Sequence, residues 1–178
     1  GCPNSENTMI KKPVQTSALP AQVRVIGGTL RGSRLPVANK PGLRPTPDRV
    51  RETLFNWLGQ SLAGWHCVDS FAGTGALGFE AVSRGAVHVQ MAELDPQLVA
   101  SLQQTATRLQ VQALVSIRRT DGLAHLMQLP IGSVDIVFLD PPFDSTLLEK
   151  ALVAAAKSVK MGGWVYAESP KPVAESLY

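Results

Sequence analysis

His66-Cys-Val-Asp-Ser-Phe-Ala-Gly73-Thr-Gly-Ala-Leu-Gly78 is the stretch whose reading decides the fold. His66–Ser70 reads as a short buried strand. It leads into Gly73-Thr74-Gly75-Ala76-Leu77-Gly78, a G-x-G-x-x-G loop, after which the pattern turns helical to about Arg84. Glycines at this spacing let a chain turn tightly between strand and helix and let a ligand approach the main chain. A second strand, Val87–Glu93, ends on an acid twenty positions after Gly73. An acid placed there can accept both hydroxyls of a ribose. The loop therefore reads as the binding turn of a nucleoside cofactor.

Outward from this unit, strand and helix keep alternating. Helix Pro96–Leu109, strand Leu114–Arg118, helix Gly122–Leu129, strand Val134–Leu139, helix Ser145–Lys160 and strand Gly163–Glu168 follow in order. Such alternation with right-handed crossovers builds an α/β fold with a mostly parallel, doubly wound, Rossmann-like sheet. The 178 residues, 44% of them apolar, suffice for one domain with a sizeable core. Three segments are expected: a polar N-terminal arm over 1–21, an extension over 22–64 and the α/β core over 65–178.

No apolar run approaches the roughly 20 residues that span a bilayer. Cys2 and Cys67 show no metal or disulfide spacing, and a reducing cytoplasm is the simplest compartment.

The cofactor is narrowed by Asp69, which precedes the glycine loop at the strand end, with Ser70-Phe71-Ala72 between. A dinucleotide pyrophosphate wants the helix N-terminus and is repelled by a carboxylate, whereas a ligand carrying an ammonium and a sulfonium suits one. S-adenosylmethionine fits better than a nicotinamide cofactor. Asp69, Phe71, Gly73, Thr74, Gly75, Glu93 and Leu94 are the candidate contacts on this side. Asp121 can accept the adenine amino group beside Gly122, or it can simply cap the helix that Gly122 opens.

Asp140-Pro141-Pro142-Phe143 follows the apolar strand directly, so it lies where open α/β sheets bind ligands. Asp140 can accept from an amino N–H, the prolines stiffen the Pro141 carbonyl as a second acceptor, and Phe143 can stack on a planar ring. The tetrapeptide points to an enzyme acting on a nucleobase amine. His66, His88 and His125 fall in no motif and are expected in core or surface positions.

The front of the chain differs in charge. Nine Lys and Arg residues lie between Gly1 and Arg51 against two acids, in a chain of formal net charge +3, so the remainder is net acidic. A basic front end suggests contact with phosphate. Val23–Leu30 and Ser33–Val37, joined by Arg31-Gly32, read as a small basic hairpin. A proline-rich loop follows, and Thr46-Pro47 supplies an N-cap and first-turn proline for a helix burying Val50, Leu54, Trp57 and Leu58.

Asp69-Ser-Phe-Ala-Gly-Thr-Gly-Ala-Leu-Gly78 together with Asp140-Pro-Pro-Phe143 resembles the class I S-adenosylmethionine-dependent methyltransferases that modify exocyclic amines. Arg24-Val-Ile-Gly-Gly28, Gly42-Leu-Arg-Pro-Thr46 and Asp48-Arg-Val-Arg-Glu-Thr-Leu-Phe-Asn-Trp57 narrow the likeness. With them the chain is similar, from about Val23 to Glu168, to the bacterial family that methylates guanine-966 N2 of 16S ribosomal RNA. The resemblance implies that Asp140 and the Pro141 carbonyl bind the target amine while Phe143 stacks on the base. It implies that the loop Asp69–Gly75 and Glu93 hold the cofactor. It also implies that the hairpin and Arg44-Pro45-Thr46 face RNA and help cover the site. Arg24, Arg31, Arg34, Lys40, Arg44 and Thr46 are the expected RNA contacts, whereas Arg49 and Arg51 are expected to point along the helix toward the cofactor mouth. The implied partner is 16S ribosomal RNA within a partly or fully assembled small subunit, met by a monomer. The family's sheet closes with a further antiparallel strand pair, of which Val173–Tyr178 reads as the last strand.

Two rival readings share these residues. A DNA adenine-N6 or cytosine-N4 methyltransferase would use the same amine-gripping chemistry. A non-catalytic RNA-binding ribosome assembly factor could keep the fold without the reaction. A nicotinamide oxidoreductase ranks third, because no proton-relay Tyr/Lys or Ser pair stands near the mouth.

Overall fold

The computed structural model describes residues 22–40, 43, 46–141 and 145–168. Two short strands come first, β1 (Gln22–Arg24) and β2 (Arg34–Pro36), antiparallel with Val23 opposite Leu35. Then follow α1 (Asp48–Trp57), β3 (His66–Asp69), α2 (Ala76–Ser83), β4 (His88–Glu93), α3 (Pro96–Arg108) and β5 (Val115–Arg119). The chain continues with α4 (Gly122–Gln128), β6 (Val134–Leu139), α5 (Ser145–Ser158) and β7 (Val159–Ala167). Strands β3 to β7 form one parallel sheet in the order β5-β4-β3-β6-β7, which is the doubly wound α/β architecture expected.

The all-buried pattern of β6 follows from helices on both faces. On one face α1, α2, α3 and the hairpin share a core that includes Leu54, Phe55, Phe79, Met91, Leu102 and Phe138. On the other face α4 and α5 pack Leu126, Ala151, Leu152 and Ala155 on Val68 and Val137. No helix among the described residues is long and apolar enough to cross a membrane.

Local structure departs from expectation in four places, each for an identifiable reason. The hairpin strands are three residues long instead of running through Leu30. Its intervening backbone is claimed by α2: Ile26 and Gly27 donate to the Glu80 carboxylate at 2.9 and 3.0 Å, Thr29 N to the Ser83 carbonyl and Leu30 N to Ser83 Oγ at 2.8 Å. Helix α1 is preceded by Pro47 as N-cap with no side-chain cap bond, and Thr46 is buried. Trp57 is 78% exposed, because α1 turns inward a stripe containing the fully buried Arg51 with Leu54 and Phe55.

Finally, α5 ends at Ser158 and β7 begins at once. Between Val134↔Val159 and Ile136↔Trp164 the register shifts. The bulge is shaped by Gly162 at φ +81° and by Gly163, whose Cβ would fall 2.6 Å from the Asp135 carbonyl oxygen; Lys160 pairs with Asp135 beside it. The arm over 1–21 and the expected last strand Val173–Tyr178 lie outside the described residues.

Candidate active site

The carboxyl ends of β3, β4 and β6 bring the acids together. Strand register aligns Met91, Asp69, Phe138 and Tyr166 in one row on a single sheet face. Two residues further along β4 and past β6, Glu93 and Asp140 continue that face at the rim, because side chains alternate with a period of two. Asp69 is 2% exposed, and its Oδ2 accepts from Gly78 N at 2.9 Å. Burial pushes its carboxyl up to about 7; the Gly78 N–H opposes this, and the negative charges of Asp140 and Glu93 reinforce it.

The glycine loop has the geometry its sequence demands. Gly73 and Gly75 have φ of +56° and +81°, and Gly75 caps α2 in the left-handed region. A Cβ on Gly75 would lie 2.6 Å from the Phe79 ring and 2.7 Å from Leu102. Glu93 Oε1 accepts from Gly73 N, and its Oε2 from Asp95 N, both at 2.9 Å. Glu93 thus fixes the loop and the start of α3 together. Each carboxylate oxygen keeps a second lone pair with which it can accept from a hydroxyl. Thr74 is buried, its hydroxyl accepting from Ala76 N at 3.3 Å.

Phe71 and Gly122 meet. A Cβ on Gly122 would fall 2.2 Å from the Ser70 carbonyl oxygen and 2.7 Å from the Phe71 ring, so only glycine lets α4 approach the end of β3 this closely. Asp121 caps α4, its Oδ2 accepting from Ala124 N at 2.9 Å, which is the capping alternative of the sequence reading. Its side chain is exposed, as is Leu94 at 61% beside Glu93. Asp140 and Pro141 are partly exposed at the rim; Pro142 and Phe143 lie outside the described residues.

A cationic adenosyl donor fits this rim. Three carboxylates, from Asp69, Glu93 and Asp140, are close enough to raise the proton affinity of the first, and a positive ligand would relieve that strain. The glycine turn leaves the main chain open to close approach. The charge pattern disfavours a pyrophosphate.

The expected RNA contacts are placed less uniformly. Arg24, Arg31 and Arg34 are exposed, and Lys40 pairs with Asp95, the N-cap of α3, at 2.9 Å. Arg31 and Arg34 do not stand at the rim. The loop that holds Arg31 is tied to Ser83 at the end of α2, and the Arg34 carbonyl accepts from Arg108 at the end of α3 at 2.6 Å. Both helix ends lie at the opposite, amino edge of the sheet. Thr46 is buried at 5% and gives its carbonyl to Arg51 Nε at 3.1 Å, so its side chain is not offered to a surface ligand in this form. Arg44 is outside the described residues. Leu43, however, reaches the rim, since a Cβ on Gly73 would meet its Cδ1 at 3.0 Å. Leu43, between the hairpin and α1, therefore lies against the glycine loop.

Sequence reasoning missed the buried node beneath this extension. Glu80 accepts from Ile26 N, Gly27 N, Arg51 Nη1 at 3.1 Å and Arg84 Nε at 2.9 Å. Arg51 is also fully buried and donates to the carbonyls of Arg24 and Thr46 and to Asp48. The signal was available: Glu80 is the one charge in the apolar run Ala76–Ser83, and a buried charge needs a buried partner. A second missed pair is Tyr166 and Glu168, hydrogen-bonded at 2.7 Å; burial pushes the phenol up, and the bond to Glu168 and then the charge of Asp140 add to the shift. The histidines take surface or core positions: His66 is exposed at the start of β3, His88 bonds Ser116 at 2.9 Å, and His125 is buried against Gln90 at 3.0 Å.

Known proteins are similar to this chain in sequence and fold. A family model described as conserved hypothetical protein 95 matches residues 23–177. The ribosomal RNA small subunit methyltransferase D of Haemophilus influenzae is 41% identical over 166 residues, covering 90% of this chain and 85% of its own. Its Escherichia coli K12 counterpart is 40% identical over 160 residues, covering 90% and 77%. Among solved structures, a putative methylase of Haemophilus influenzae superposes with TM-score 0.69 at 34% identity, covering 86% of this chain and 85% of that one. A putative methyltransferase of Escherichia coli gives 0.68 at 36%, covering 83% and 77%. With its parallel sheet, glycine turn and acidic rim, the chain belongs to the ribosomal RNA small subunit methyltransferase D family of Rossmann-like methyltransferases.

Proposed function

We propose that the chain transfers a methyl group from S-adenosylmethionine to the exocyclic N2 of one guanine of 16S ribosomal RNA, the family's guanine-966. The observation that carries this reading is the meeting of Asp69, Glu93 and Asp140 at one rim, with Asp140 at the mouth of β6 followed by a proline. When bound, the cofactor supplies an already activated methyl group on a sulfonium.

Asp69, the turn Gly73–Gly75 and Glu93 would hold it, with Phe71, Leu94, Asp121 and Gly122 around the adenine. The guanine amine is a poor nucleophile while its lone pair is delocalised into the ring. Asp140 and the Pro141 carbonyl would accept its two hydrogens and so favour a pyramidal nitrogen aimed at the methyl. Orientation at roughly 3–3.5 Å can supply several kcal/mol, and the departing proton needs no strongly tuned base. A paired guanine keeps N2 in the minor groove, so the target would be unpaired or extruded, with Phe143 stacking on it. Arg24, Arg31, Arg34, Lys40 and Arg44 would bind phosphates without reading sequence.

The test uses labelled cofactor with naked 16S ribosomal RNA, small subunits lacking the modification, and duplex DNA. Label confined to N2 of one guanine is expected; label in adenine or cytosine amines, or in DNA, would overturn the target. In parallel, Asp140→Ala should abolish transfer while cofactor affinity by calorimetry stays within about threefold. Loss of both would make Asp140 a structural cap.

A further inference from the structure

The rim carries a fourth acid to which methyl transfer has assigned no task. Glu168 follows β7, and its N–H donates to the Leu139 carbonyl at 2.9 Å, so the parallel ladder of β6 and β7 continues one step past Leu139↔Ala167. That step sets Glu168 opposite Asp140. Both lie two residues beyond the Phe138↔Tyr166 pair, so both side chains leave the sheet on the face that carries Asp69 and Tyr166. Neighbouring strands run about 4.8 Å apart. Two carboxylates therefore stand side by side, Asp140 on the strand next to β3 and the glycine loop, Glu168 on the far side of it.

Glu168 is held as an acceptor. Tyr166, one row below, donates its hydroxyl to Glu168 Oε1 at 2.7 Å, and both side chains are partly exposed. Burial pushes the phenol up, the bond to Glu168 and then the charge of Asp140 add to this, and the hydroxyl stays a donor through neutral pH. With Oε1 engaged the carboxylate has a fixed direction. Its Oε2 keeps lone pairs for a ligand.

What lies beside the methylated amine differs between bases. On the Watson–Crick edge of guanine the ring atom next to the N2 amine is N1, which carries a hydrogen. Adenine and cytosine place a bare ring nitrogen, an acceptor, next to their N6 and N4 amines. A carboxylate adjoining the amine's own acceptor gains a hydrogen bond from guanine and meets a lone pair on the other two, which both rewards one base and penalises its rivals.

We propose that Glu168, oriented by Tyr166, accepts from guanine N1–H while Asp140 holds the N2 amine, and so selects guanine over adenine and cytosine. This role rests on the guanine target proposed above. It divides the labour at the rim: Asp140 and the Pro141 carbonyl can grip any exocyclic amine, whereas Glu168 reads the ring that bears it. Glu168 is a specificity residue that touches the base, and Tyr166 is a positioning residue behind it.

The experiment uses small subunits reconstituted around 16S ribosomal RNA that carries guanine or 2-aminopurine at the target position. The analogue keeps the amine in place but has a bare N1. The intact chain is assayed on both, with cofactor affinity and melting measured alongside. Wild type should favour guanine by about 10–100-fold in kcat/KM, as one hydrogen bond to a charged group would give. Glu168→Gln should shrink that preference at least about fivefold, because a carboxamide can donate to a bare nitrogen as well as accept from N–H. Cofactor affinity should stay within about twofold. Tyr166→Phe, which keeps the ring and removes the hydroxyl, should narrow the preference partway. Any intrinsic difference between the two amines cancels when variant and wild type are compared. A preference that Glu168→Gln and Tyr166→Phe leave unchanged, even with lower activity on both substrates, would overturn the role of Glu168 and leave it a structural partner of Tyr166. Wild-type chain that places no methyl on N2 of the guanine subunits would overturn the proposed function itself, so the two failures are distinguishable.

Discussion

Glu80 is the most consequential single side chain outside the rim, and replacing it has a calculable cost. Its carboxylate is fully buried and accepts four hydrogen bonds, from Ile26 N, Gly27 N, Arg51 Nη1 and Arg84 Nε. Glu80→Ala deletes all four acceptors and opens a cavity. It leaves Arg51, itself 0% exposed, with Asp48 as its remaining carboxylate, and the side chain of Asp48 is 70% exposed.

Burial already lowers the proton affinity of Arg51, with Glu80 and then Asp48 opposing; removing Glu80 removes the larger of the two supports. Breaking a buried pair by removing one partner costs about 3–5 kcal/mol. The two orphaned N–H groups are partly exposed and can recruit water, so about 4 kcal/mol is a fair total. For a chain of this size 1 kcal/mol moves Tm by roughly 2–4 °C, which gives a fall of about 8–16 °C in a calorimetric melt.

A control separates charge from connection. Arg51→Met with Glu80→Leu removes the stranded charge and should regain part of the loss, but it leaves Ile26 and Gly27 without their acceptor. The double variant should therefore melt between wild type and Glu80→Ala. A fall under about 3 °C for Glu80→Ala would refute the reasoning, because the network would then contribute no more than a solvated surface pair.

Two further outcomes follow from the rim. The Asp69 carboxyl is raised from 3.8 to about 7, so the folded state binds that proton more tightly than the unfolded chain does. Its contribution to stability is fully present below about pH 4 and is lost as pH rises through 7. Asp69→Asn should thus flatten the melting profile between pH 5 and 8. For wild type, affinity for the cationic donor should rise over the same interval, as the ionised carboxylate becomes the common form. A wild-type profile that parallels the variant's would remove Asp69 from the titration. Separately, Gly122→Ala should weaken cofactor binding and lower Tm by several degrees, since its Cβ would fall 2.2 Å from the Ser70 carbonyl oxygen. Unchanged calorimetric titrations would show that α4 can retreat at no cost.

Much of the core was legible in the sequence for simple physical reasons. Strands such as Val134–Leu139, buried on both faces, read as continuous apolar runs, and helix α3 announces itself through Asp95 as cap and Pro96 in the first turn. The acids Asp69, Glu93 and Asp140 were legible because each terminates a strand. The extension was harder. Residues Val23–Leu30 alternate like a strand, yet four of their N–H groups go to Glu80 and Ser83, more than fifty positions away. Periodicity cannot register a long-range acceptor. Trp57 failed for the same reason: hydrophobicity assigns it to the inner stripe, whereas the orientation of α1 is set by burying Arg51 against Glu80.

That orientation ties the two ends of the molecule through one element. Every residue of α2 is buried, from Ala76 to Ser83. Its first turn is held by Gly75 and by the bond from Gly78 N to Asp69, beside the donor loop. Its last turn, through Glu80 and Ser83, holds the hairpin loop and the buried side of α1. A close-packed helix cannot translate along its axis without losing contacts on all sides. The distance from the glycine loop to the hairpin loop anchored on Ser83 is thus fixed by the eight residues of α2, about 12 Å.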